Sequence, residues 1–174
     1  MKQLQISETF NIGSLPRDLC DFLIQAVRSV PQTFFFDGAE PLEKEVVGVD
    51  KAITSALEKY GWKCQKDYAP ISDCGFNVDL AVAQHKVLIE IEKGKSPRLE
   101  LDILKIASAC LTYPEQWQFG ALIVPSSYIK LALAGRQTPY QYLQRLTPLI
   151  EPVLHASRVK GFLVIGYSDP RGNI

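Results

Sequence analysis

Histidine occurs twice and cysteine four times in this 174-residue chain, and no two of the cysteines form a Cys-x-x-Cys pair. Zinc ribbons, zinc fingers and dithiol redox sites need such closely spaced soft ligands and are excluded. A set drawn from Cys64, Cys74, His85 and the distant His155 matches no zinc spacing. A domain of this length does not need disulfides, so Cys20, Cys64, Cys74 and Cys110 are expected to be reduced thiols, mostly buried. Long apolar runs are missing as well. No stretch approaches the ~18 residues of a membrane span, and Met1-Lys2-Gln3-Leu4-Gln5 does not open a signal peptide, so a cytoplasmic protein with no membrane partner is expected. Nor is either charge in excess: nineteen basic and nineteen acidic side chains cancel, which removes bulk attraction as an argument for nucleic-acid binding. The first 87 residues carry nine basic against twelve acidic groups and the last 87 ten against seven, so a charged face is compatible with a neutral total.

What is present is a core. The chain is 47% hydrophobic with eight Phe, seven Tyr and two Trp, enough apolar surface to offset chain entropy in one domain of this length but not in two. Residues from Ser14 to about Arg28 set Leu15, Leu19, Phe22, Leu23, Ala26 and Val27 on one helical face, ended by Val30-Pro31. After Phe34-Phe35-Phe36 and Asp37-Gly38, a second helix is predicted from about Pro41 to Tyr60, with Gly61 as its stop. Trp62 to Tyr68 reads as a strand. Asn77 to Ala83 and Val87 to Glu92 read as two more, joined as a hairpin by Gln84-His85-Lys86. Ser96 as N-cap and Pro97 at the first helical position open a helix from about Arg98 to Thr112, with Leu99, Ile103, Ile106 and Cys110 on one stripe. Phe119 to Val124 suits a strand covered on both faces. A short helix over Tyr128 to Ala134 follows. A longer one begins at Thr138-Pro139 and runs to about Leu154, with Pro148 and Pro152 kinking or interrupting it. Gly161 to Tyr167 is the last strand.

The chemistry concentrates in the hairpin. If it turns on Gln84-His85, Val82 faces Val87, Leu80 faces Ile89 and Asp79 faces Glu90, with Glu92 on the Glu90 face two residues on. Val78, Leu80, Val82, Val87, Ile89 and Ile91 then form one continuous apolar face. A loop of odd length would scramble both faces, so the even one is favoured. Facing like charges are destabilising unless a positive charge lies between them. A carboxylate cluster without histidine or cysteine is the oxygen-rich setting that Mg²⁺, Mn²⁺ or Ca²⁺ prefers.

Asp79, ten residues, then Glu90-Ile91-Glu92-Lys93-Gly94, set between a leading helix and the helix carrying Arg98-Leu-Glu-Leu-Asp102-Ile-Leu-Lys105, resembles the PD-(D/E)XK nuclease superfamily. Within it, the pattern is similar to type II restriction endonucleases of the BamHI and BglII kind. The resemblance spans about residues 40–125 as an element order and about 30 residues as a motif. It implies an α/β fold with a restriction-endonuclease-like αβββαβ core, a mixed sheet flanked by helices. As a single domain, 1–174 then divides into an N-terminal helical extension over 1–38, the core over 39–125, and a C-terminal helix and strand over 126–174. It also implies Mg²⁺- or Mn²⁺-dependent hydrolysis of DNA, with Asp79, Glu90 and Glu92 as metal ligands and catalytic groups. Glu43 or, by preference, Glu45 is the acidic group of the first core helix.

Two departures stand out. Val78 replaces the motif's proline, and Glu92 stands where the commoner pattern has lysine, as it does in the BamHI-like members. Glu92 would position the water, accept its proton or help to hold a second metal. A regular strand points Lys93 away from the metal; a bulge at Gly94 redirects Lys93 or brings Lys95 round. Lys93, Lys95 and Arg98 are the candidate phosphate contacts. A two-fold dimer, contacting through the first helix or the Phe34–Phe36 run, would put one site on each DNA strand. Two readings compete with the enzyme: a silent relative that binds nucleic acid or protein, and a hydrolase of another substrate.

Overall fold

Short runs of aliphatic and β-branched residues build the centre of the molecule and the helices cover it. The computed structural model describes residues 3–32, 48–92, 98–127 and 137–168. In chain order the elements are β1 (Ile6–Gly13), α1 (Arg17–Arg28), α2 (Val49–Lys59), β2 (Gln65–Tyr68), β3 (Val78–Val82), β4 (Val87–Ile91), α3 (Leu99–Thr112), β5 (Phe119–Ser127), α4 (Pro139–Ala156) and β6 (Gly161–Ser168). The six strands form one mixed sheet in the order β1-β6-β5-β4-β3-β2. β4, β5 and β6 are parallel, and the remaining neighbours are antiparallel. The run from α2 to β5 therefore reproduces the αβββαβ order, in a mixed α/β fold.

Alternation along the central strands splits the core in two. Leu80, Val82, Val87, Ile89, Ile91, Ala121 and Ile123 pack with α1 and α2. Ala81, Leu88, Leu122 and Val124 pack with α3 and α4 on the opposite face. The hairpin register is the predicted one: Leu80 pairs with Ile89, Ala81 with Leu88 and Val82 with Val87. Ala83 to Lys86 form the four-residue loop, with Lys86 left-handed at φ 53°. Val78 departs from the expected apolar face. It packs on the α3 side beside Tyr68, its partner across β2, at the strand end where the recorded pairing with β4 has stopped.

Other corrections have local causes. β1, an edge strand, is missing from the sequence reading because its register shifts between Ile6 and Glu8. Ile6 consequently packs on the α1 side while Phe10 and Ile12 pack on the other, so no single alternation marks the strand. Of the helix read from Pro41 to Tyr60, residues 41–47 lie outside the described residues, and α2 runs from Val49 behind Gly48, which is left-handed at φ 97° in its N-cap. α3 starts at Leu99 with Arg98 as N-cap, one residue past the predicted start; Ser96 and Pro97 lie outside the described residues. α4 is continuous through Pro148 and Pro152. Both prolines are exposed, where water reaches the carbonyls they leave unpaired. Its N-terminus carries the expected cap, in which Thr138 Oγ1 accepts from Gln141 N at 3.2 Å and Gln141 Oε1 accepts from Thr138 N at 3.2 Å. The apolar face of α1 is used within the chain, with Leu19, Leu23, Ala26 and Val27 buried. Phe34–Phe36 and the helix read over 128–134 lie outside the described residues. Among the described residues no helix is long and apolar enough to cross a membrane.

Where α3 crosses β5 there is no room for a side chain. A Cβ added to Gly120 would lie 2.6 Å from Cδ2 of Phe162 and 2.7 Å from Cγ2 of Ile106. Gly120→Ala is expected to lower stability by about 1–3 kcal/mol in urea denaturation, the usual scale of overpacking. An unchanged midpoint would show that α3 has slack against the sheet.

Candidate active site

Asp79 on β3 and Glu90 on β4 occupy positions in phase with Ala81 and Leu88, so they belong to the α3 face of the sheet. The N–H of Glu92 points to β5, donating to Ile123 O at 2.8 Å; that of Ile91 therefore points to β3. There it meets the carboxylate of Asp79, with Ile91 N donating to Oδ2 at 2.6 Å. A side chain has replaced a ladder carbonyl. The bond to Ile123 carries the strand's alternation on to Glu92, which stays in phase with Glu90. The carbonyl of Glu92 accepts from the buried Tyr167 hydroxyl at 2.8 Å, fixing this strand end to β6.

The face is not a wet hairpin surface, because Glu90 is only 4% exposed and Asp102 6%. α3 closes it. From one turn of that helix Lys105 reaches Glu90 Oε1 in an ion pair and Asp102 Oδ1 at 2.9 Å. The same ammonium donates to the Asn77 carbonyl at 2.9 Å. Lys105 and Asp102 had no role in the sequence reading, although a signal was there. Asp102 lies on the apolar stripe between Leu99 and Ile106, and a carboxylate on a buried stripe needs a cation, here three residues on.

Glu90 and Asp102 thus share one ammonium, and Asp79 lies near enough to add its charge at Glu90. Burial pushes the Glu90 carboxyl up to about 8, Asp102 and Asp79 push the same way, and the bond from Lys105 opposes them. Burial pulls the Lys105 ammonium down, but its bonds to Glu90 and Asp102 outweigh that and leave it above its ordinary 10.5. Among the described residues no three carboxylate, histidine or cysteine side chains are gathered to hold a metal; the Lys105 ammonium takes the cationic place.

Arg98 is exposed at the start of α3. Glu43, Glu45, Lys93 and Lys95 lie outside the described residues. The cysteines are free, yet only Cys110 is fully buried, Cys20 and Cys64 being half-buried and Cys74 exposed, because Cys74 sits in the turn ahead of β3 and not on a core stripe. Burial pushes the Cys110 thiol up to about 12 and Cys64 to about 11, which keeps both protonated and unreactive.

The raised Glu90 carboxyl has a measurable consequence. In the folded protein it holds a proton over a range where the unfolded chain has lost it, so stability falls as pH rises from about 4.5 towards about 8. Lys105, also raised, contributes stability that is lost only as pH climbs past its ordinary 10.5. Glu90→Gln, which has no proton to lose, is expected to flatten the melting-temperature profile between pH 5 and 8, roughly the window of this linkage. A wild-type profile rising through that window would show that Lys105 keeps Glu90 ionised.

The family model described as "Putative halobacteria restriction endonuclease" matches residues 8–167. No curated protein matches the chain. The matched span runs from within β1 into β6, and so takes in the whole carboxylate hairpin and the helix that closes it. With nearly its full length matched, the chain belongs to this restriction-endonuclease-like family.

Proposed function

We propose that the protein is a Mg²⁺- or Mn²⁺-dependent endonuclease that hydrolyses DNA phosphodiester bonds, a PD-(D/E)XK enzyme of the BamHI and BglII kind acting in the cytoplasm. The observation that carries this reading is the Asp79 carboxylate held on Ile91 N, next in sequence to the buried Glu90 that Lys105 of α3 closes over, in a chain of this family. The donors fit the ion by type, since a set of carboxylate oxygens with no soft ligand is what Mg²⁺ and Mn²⁺ select. When bound, the ion supplies charge stabilisation at the phosphoryl oxygens and a more acidic water.

The chain's own groups supply the rest. Asp79 and Glu90 hold the ion, and Asp79 also ties the two strands through Ile91 N. Glu92, carried one residue past β4 and tethered through its carbonyl to Tyr167, orients the attacking water and takes up its proton. Glu45 adds a carboxylate from the segment before α2. Lys93, Lys95 and Arg98 meet the DNA phosphates, and pairing of two copies sets one site on each strand. A second reading has one observation in its favour. Lys105 already neutralises Glu90 and Asp102, as it would in a silent relative that only binds DNA or a protein.

Plasmid nicking with Mg²⁺, Mn²⁺ or chelator separates the two. Cleavage is expected with either ion and none with chelator. Asp79→Asn is expected to abolish it, and Glu92→Gln to lower it by a factor of roughly 100, the scale for a positioned proton acceptor. Metal at 100 times its dissociation constant should stabilise the fold by about 2.7 kcal/mol. DNA binding without cleavage under every metal condition would favour the silent relative.

A further inference from the structure

A primary ammonium has three N–H donors and no acceptor, and that of Lys105 lies among three oxygens: Glu90 Oε1 and Asp102 Oδ1, with which it forms ion pairs, and the Asn77 carbonyl, to which it donates. Its side chain is only 12% exposed. Carboxylates plus a backbone carbonyl are also the donors a hard divalent cation takes. Lys105 is therefore coordinated as a metal ion would be, by a group covalently tied to α3.

Resting on the metal-dependent reading above, we propose that Lys105 is a tethered competitor of the divalent cation and sets the concentration at which the site accepts one. The two cannot share Glu90 comfortably, because an ammonium and a divalent ion on one buried carboxylate repel at short range with little water between them. Lys105 has somewhere to go. Asp102 is three residues earlier on the same helix and already bonded to it at 2.9 Å, and the four-carbon lysine stem is flexible. The ammonium releases Glu90 and stays on Asp102. Asp102 is on this account a positioning residue for Lys105, not a metal ligand. A monovalent ion offers no more charge than the ammonium it would displace, so the exchange favours divalent ions over Na⁺ and K⁺.

The test is calorimetric titration of the full chain with Mn²⁺, together with melting in chelator. Lys105→Met is expected to bind Mn²⁺ at least tenfold more tightly than wild type, to melt lower in chelator, and to gain more from added Mn²⁺. Where Lys105→Met does not fold, Lys105→Gln carries the same expectation, since its amide keeps two N–H donors for Glu90 and Asp102. Asp79→Asn, which removes a proposed ligand, is expected to lose binding. Mn²⁺ affinity within twofold of wild type in a folded Lys105 variant, with Asp79→Asn still losing binding, overturns the competitor role and leaves the metal reading intact. No Mn²⁺ binding by wild type or by any Lys105 variant overturns both.

Discussion

The ammonium of Lys105 lies against Glu90, Asp102 and the Asn77 carbonyl, on a face where Asp79 adds a further negative charge. Remove that cation and the buried carboxyls of Glu90 and Asp102 lose their ion pairs. Breaking a buried pair from one side typically costs about 3–5 kcal/mol, because an uncompensated charge is left behind. The raised Glu90 carboxyl reflects its burial and the charges of Asp102 and Asp79 beside it. A bound divalent ion would offset those charges. The electrostatics that hold α3 to the hairpin are thus the electrostatics that prepare the hairpin for a cation.

That contact depends on packing far from any charge. Lys105 reaches β4 only if α3 lies close to the sheet, and α3 does so through Ile106 set over Gly120, with Ile103 and Cys110 buried along the same stripe. β5 lies between β4 and β6 and is buried on both faces, so α3 rests on the most constrained part of the sheet. At the strand end, Asp79 on Ile91 N and Tyr167 on the Glu92 carbonyl hold the backbone around the carboxylates. Each of these bonds replaces or extends a ladder bond, so Ile91 N and the Glu92 carbonyl stay satisfied where the hairpin opens.

Much of this was legible from residue order. The alternation through Leu80, Val82, Val87 and Ile89 sets the register without any structure, because slipping by one residue would set Asp79 level with an isoleucine and scramble both faces. The Thr138-Pro139 cap and the Gly61 stop were legible for the same reason: each is a local signal with a local cause. β1 was not legible, since its bulge breaks the alternation between Ile6 and Glu8. Lys105 was not either. Its role comes from a helix crossing a strand, a contact between residues fifteen apart in sequence that no periodicity encodes. Only Asp102, a charge placed on an apolar stripe, hinted that something must meet it there.

The most direct measurement of the central claim is anomalous diffraction from crystals grown in saturating Mn²⁺. The account predicts a manganese peak bonded to the carboxylates of Asp79 and Glu90, with the Lys105 ammonium drawn off Glu90 and retained by Asp102. Crystals with no peak at these carboxylates and Lys105 still on Glu90 would contradict it, and would make this cluster a structural salt bridge.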